Sequence, residues 1–81
     1  MSHQQVTEQL RAMILVENTE LAPDFSSAAD LYLDLGLPSV QAMLLLQTCE
    51  ETYAISIPDD QFVEATTLDK LATLVVSLRT A

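Results

Sequence analysis

The chain has 81 residues, 49% of them hydrophobic, with two Tyr, two Phe and no Trp. Such a length supports a single small domain spanning 1–81, and an aliphatic core of this kind suits packed helices better than a sheet. A net charge of −9 with only three Lys or Arg argues against nucleic acid and against an anionic membrane surface, since both need clustered positive charge.

In chain order, residues 3 to about 17 read as a first helix. Val6, Leu10, Met13, Ile14 and Val16 supply its apolar spacing, and Gln5, Glu8, Gln9 and Arg11 its polar face. Ser2 is its expected cap, and Glu8 and Arg11 are placed to pair. From Asn18 to Leu37 the pattern loosens around Pro23, Ser26, Ser27 and Gly36. So long a connection in so small a domain must be pinned, and Leu21, Phe25, Leu31 and Leu35 are the expected anchors, with a helical turn after Asp30.

The second helix runs from about Ser39 to Tyr53. Ala42, Leu45, Leu46, Cys49 and Tyr53 form its core stripe, while Val40, Met43, Leu44 and Gln47 form a second stripe. A domain this small cannot bury both, so the second stripe is expected to face partners. Ala54–Pro58 alternates like a strand but has no mate, and is expected to be an extended connection held by Ile55 and Ile57. Pro58 then opens a short helix, Asp59 to about Glu64, with Phe62 and Val63 turned inward. Thr66 or Thr67 caps a last helix from Leu68 to about Leu78, and Thr66 would set Asp69 in a near capping-box position. The expected fold is all-α: a small four-helix bundle of three main helices and one short one, with a long first loop.

The most informative stretch is Asp34-Leu35-Gly36-Leu37-Pro38-Ser39-Val40, where a punctuated loop meets the most apolar run of the chain. Gly36 supplies backbone freedom at the turn, and Pro38, which lacks an N–H, belongs just before or within a first helical turn. Ser39 therefore falls at a helix N-terminus. It reads either as an N-cap or as a hydroxyl that carries a phosphodiester, because a helix start favours an anion.

Other chemistry is sparse. Cys49 is the single cysteine, which excludes an internal disulfide, fits a reducing cytoplasm and reads as a small core residue. His3 is the single histidine and lies in a terminal segment, so no zinc site is readable and no metal is expected. No apolar run is longer than Ala42–Leu46, far short of a membrane span, and no basic leader precedes a long apolar segment. The charges are unevenly spread: no Lys or Arg lies between positions 12 and 69, while carboxylates recur from Glu17 to Glu64. That acidity either keeps a small domain soluble or orients basic patches on partner proteins.

The order of helix, long loop, Asp34-Leu35-Gly36 and Ser39, apolar helix, Ile55-Ser56-Ile57-Pro58-Asp59-Asp60, short helix, Thr66-Thr67-Leu68 and final helix resembles the acyl carrier protein family. The resemblance runs from the first helix to the last. It implies a carrier rather than an enzyme, with no catalytic residue. Ser39 would receive 4′-phosphopantetheine from coenzyme A by a phosphopantetheinyl transferase, and the arm would hold acyl or aminoacyl cargo as a thioester. The implied partners are that transferase and acyl- or aminoacyl-loading and acyl-transferring enzymes, in fatty-acid-like, polyketide-like or other specialised biosynthesis. A stand-alone, monomeric, cytoplasmic carrier is expected, and the family commonly shelters its cargo between its helices.

Two departures matter. Pro38 stands where the family usually has an aspartate, and Gln41 and Leu44 stand where typical fatty-acid carriers place carboxylates, leaving Glu50 and Glu51 as the acidic residues of the second helix. Pro38, Val40, Met43, Leu44, Gln47, Glu50 and Glu51 are accordingly the candidate partner-binding residues. A specialised carrier with dedicated partners fits this pattern. The alternative is an unmodified helical adaptor that binds partners through the second helix.

Overall fold

A computed structural model describes residues 2–80; Met1 and Ala81, the two ends of the expected 1–81 domain, lie outside the described residues. Four helices follow one another: α1 (His3–Glu17), α2 (Ser39–Tyr53), α3 (Asp59–Glu64) and α4 (Leu68–Thr80). The all-α bundle of three main helices and one short helix is the expected one, with α4 continuing past Leu78.

Local chemistry explains where each helix starts. At α1, Ser2 Oγ accepts the Gln5 N–H and the Gln5 side chain accepts the Ser2 N–H, a closed capping box. At α4 the cap is Thr67, whose Oγ1 accepts the Lys70 N–H at 3.1 Å. The alternative Thr66 box does not form, because the Thr66 carbonyl faces the loop and takes the Leu31 N–H at 2.8 Å. α2 ends at Ala54, which adopts φ 54° and donates its N–H to the Glu50 carbonyl. A left-handed non-glycine residue costs about 1 kcal/mol, which the closure of the helix offsets.

The core is mainly aliphatic, with Phe25, Tyr53 and Phe62 in it, and is shared by all elements. Val6, Leu10 and Ile14 from α1 meet Ala42, Leu45, Cys49 and Tyr53 from α2 and Leu68, Leu71, Ala72 and Val75 from α4. α1 packs most extensively on α4. Val16 and Val63, both expected inside, are 72% and 68% exposed. In each case the neighbour one or two places earlier, Ile14 or Phe62, already fills the inward position. Thr7 is buried although polar, its hydroxyl donating to the His3 carbonyl. His3 is the first residue of α1, as the expected start at residue 3 has it, with Nε2 3.1 Å from Asp69 Oδ1 at an exposed position.

The long loop is held as expected, and more tightly. Phe25, Leu31 and Leu37 are buried, with Leu21 and Leu35 packed beside them. Backbone bonds stitch it to the start of α4: besides Leu31 to Thr66, the Asp69 N–H donates to the Ser27 carbonyl at 3.0 Å. The turn after Asp30 closes through the Asp34 N–H and the Asp30 carbonyl at 3.0 Å. Gly36 has φ +70°, with open space where a Cβ would stand. Backbone conformation, not crowding, is therefore what asks for glycine there.

Candidate functional site

The loop delivers the chain to α2 at Pro38, the N-cap, with ψ 151° and no side chain able to cap. The Pro38 carbonyl accepts both the Gln41 and the Ala42 N–H at 3.0 Å. The two preceding donors, the N–H groups of Ser39 and Val40, have no acceptor among the described residues. Ser39 is thus not the N-cap that its residue type allows; it is the first helical residue, one position too late to fold its oxygen back on the helix start. Its exposed hydroxyl makes no hydrogen bond among the described residues.

Val40, Met43, Leu44, Gln47 and Glu51 follow on one exposed face, with Pro38 exposed just before them. Val40, Met43 and Leu44 are 62%, 63% and 46% exposed, so the structure brings these candidates together. Glu50 differs. It is half-buried, and its Oε2 accepts the Ile57 N–H at 2.9 Å, which ties the α2–α3 connection to α2. Glu50 is held for folding and is not a free surface carboxylate.

Beside Ser39 a groove of about 640 Å³ opens between α2 and α3, lined by Tyr32, Leu37, Ser39, Ala42, Met43, Leu46, Asp59, Phe62 and Val63. Its wall is apolar, with Ser39 and Asp59 as polar groups. Tyr32, Asp59 and the α3 pair Phe62–Val63 are site residues that sequence spacing did not single out. The adjacent apolar pair on so short a helix was the available signal, since one helix face cannot bury both.

Among the described residues nothing around Ser39 forms a nucleophile–base pair. Cys49 is buried in the core, and desolvation foremost, with Glu50 adding to it, pushes its thiol up to about 12. Such a thiol stays protonated and inert. Burial first, and then the Asp30 charge, also raises the Tyr32 phenol. Among the described residues no group of three or more His, Cys, Asp or Glu is placed to hold a metal ion, and no helix is long and apolar enough to cross a membrane.

What the α2 start can do is bind and present an anion. Two unpaired N–H groups, the positive end of a fifteen-residue helix and an unbonded hydroxyl meet the needs of a phosphodiester there. A family model described as a phosphopantetheine attachment site matches residues 8–75, from within α1 into α4. No curated protein matches the chain.

Proposed function

Because the chain belongs to the phosphopantetheine-attachment family of carriers, the acyl carrier type, we propose that Ser39 is the residue that bears the group. The family carries covalent 4′-phosphopantetheine, works as a carrier and not a catalyst, and meets a phosphopantetheinyl transferase and biosynthetic enzymes. The observation that carries the assignment to Ser39 is its free hydroxyl beside the unpaired N–H groups of Ser39 and Val40. Ser39 Oγ forms a P–O bond as the diphosphate of coenzyme A breaks; the adenosine bisphosphate leaves and the proton passes to the transferase. When bound, the group supplies a thiol that holds an acyl cargo as a thioester.

This chain's residues then do three things. The Ser39 and Val40 N–H groups steady the phosphate. The Tyr32–Phe62 groove offers apolar cover beside the anchor. The exposed Val40, Met43, Leu44 and Gln47 form a docking face for partner enzymes, flanked by Pro38 and Glu51. With Gln41 and Leu44 uncharged and Glu50 engaged by Ile57, Glu51 alone keeps a free carboxylate on α2. That balance supports partners with an apolar groove over partners that read carboxylates with Arg and Lys. We therefore read the protein as a specialised, monomeric, cytoplasmic carrier of acyl or aminoacyl cargo.

Intact mass after incubation with coenzyme A and a broad-specificity phosphopantetheinyl transferase tests the assignment. One added phosphopantetheinyl group on the wild type and none on Ser39→Ala is the expected result. A folded wild type that stays unmodified, with transferases of its own organism as well, overturns it in favour of an adaptor docking through α2.

A further inference from the structure

Gln41 and Leu44, the α2 positions where typical fatty-acid carriers place carboxylates, both line one cavity between α1 and α2. It measures about 300 Å³. Buried Ile14, Leu37 and Leu45 form its floor, while Val16 of α1 and Leu44 of α2 stand exposed at its rim. The exposed apolar stripe of α2 therefore continues onto α1 through Val16. An apolar cavity of about 150 Å³ already accepts benzene, so this one has room for a large apolar side chain.

The cavity also has polar walls in Glu17, Asn18, Gln41 and Thr48. Three of these spend a donor inside the fold. Asn18 Nδ2 donates to the Ile14 carbonyl and Thr48 Oγ1 to the Leu44 carbonyl, each at 2.9 Å. Gln41 Nε2 donates to the Glu17 carbonyl at 3.4 Å, which ties the end of α1 to α2 before any partner arrives. Glu17 is the exception. Its exposed carboxylate has no ion pair among the described residues.

That carboxylate is also unfavourably placed. Glu17 is the last residue of α1, whose final turn has no basic residue, so its charge adds to the negative end of the helix dipole. Glu20 and Asp24 follow, both exposed, and no Lys or Arg lies between positions 12 and 69. Arg11, the nearest cation in sequence, is engaged by Glu8 and by the Phe25 carbonyl. A cation supplied by a partner is what this end of α1 lacks.

We propose that partner enzymes dock astride α1 and α2: one large apolar side chain of the partner seats in the cavity between Val16 and Leu44, and an Arg or Lys beside it pairs with Glu17. The nature of the partner rests on the carrier reading above, but the surface does not require Ser39 to be modified. Carboxylates at positions 41 and 44 would lose water under such a side chain, at a cost. Gln41 and Leu44 remove that obstacle, while Glu17 keeps its charge in reach of water and of the partner's cation. The α2–α3 groove beside Ser39 stays open.

Three acetylated, Ala-based helical peptides of about sixteen residues serve as probes. One carries a Phe and, a helical turn later, an Arg; the second has Gln for that Arg, and the third Ala for the Phe. Each is titrated into the unmodified, isotope-labelled chain and followed by NMR. The Phe–Arg peptide should shift the Ile14, Val16, Leu44 and Leu45 methyls and the Glu17 resonances. The Gln version should bind about threefold more weakly, the worth of an exposed ion pair. The Ala version should lose more than about tenfold, the worth of a seated ring. In Glu17→Gln the two Phe peptides should bind alike, whereas Asp60→Asn, which removes the same charge from an exposed position on α3, should leave their difference intact. Val16→Ser, at an exposed position, should weaken both Phe peptides and leave the Ala peptide unchanged. Shifts confined to Met43, Phe62 and Val63, equal effects of Glu17→Gln and Asp60→Asn, or no binding at millimolar peptide overturn the proposal. Concentration-dependent shifts at Val16 without peptide would mark a second copy as the occupant and overturn it too. A chain that takes up no phosphopantetheine yet shows the expected peptide pattern overturns the carrier reading and leaves the α1–α2 seat standing.

Discussion

The starts of α2 and α4 lie in the same small bundle and are finished in opposite ways. At α4, Thr67 caps the Lys70 N–H, and the Ser27 carbonyl takes the Asp69 N–H. At α2, proline occupies the cap position, and the N–H groups of Ser39 and Val40 are left open beside a free hydroxyl. A serine stands one residue away from doing what Thr67 does. The difference teaches that α2 is short of a cap by arrangement of the loop and not for want of a capping residue. Open donors at an exposed helix start cost little because water serves them, and they become useful when an anion arrives.

The largest break in this comparison is expected at Leu31, which joins the loop to α4. It is 1% exposed, and its N–H reaches the Thr66 carbonyl. Leu31→Ala should cost about 2–5 kcal/mol, because a buried leucine leaves both lost burial and a cavity. Urea unfolding measures it; a loss under about 1 kcal/mol would mean that the loop is held by its backbone bonds alone. The two helix starts are compared directly by matched alanines. Thr67→Ala should lose about 1 kcal/mol as a cap, and Ser39→Ala less than about 0.5 kcal/mol, since its hydroxyl supports nothing in the fold. Equal losses would erase the distinction.

That asymmetry was only partly legible in the sequence. Helix existence followed from three-and-four spacing, and the exposed Val40–Gln47 stripe followed from counting apolar residues against the size of the domain. Val16 and Val63 failed because an apolar residue beside a better-placed one is redundant, and spacing cannot tell which of two neighbours turns in. The choice of Thr67 over Thr66 was settled by the Leu31 N–H, a contact across the bundle that no local pattern contains. Likewise Ser39 chemistry predicts a cap, and only the position of Pro38 moves it past the cap by one residue. The role of Glu50 was hidden for the same reason: its partner, Ile57, lies beyond the end of its own helix.

The smallest effect expected is on the acid side of stability, again at the closed end of the loop. Asp30 Oδ1 accepts the N–H groups of Leu33 and Tyr32, each at 2.8 Å. The bond to Leu33 first, then that to Tyr32, holds the Asp30 carboxyl below its ordinary value, and Lys70 helps against partial desolvation. A lowered folded-state pKa means that the unfolded chain takes up the proton first as pH falls. The contribution of Asp30 is thus complete above the unfolded value of about 3.9 and is lost as pH drops through the lowered folded value. Asp30→Asn keeps an oxygen for the same N–H groups but does not titrate. Its urea midpoint should therefore fall less steeply than the wild type's between about pH 5 and the acid limit. Parallel acid limbs would show that the Asp30 turn holds by its backbone bonds and owes nothing to the charge.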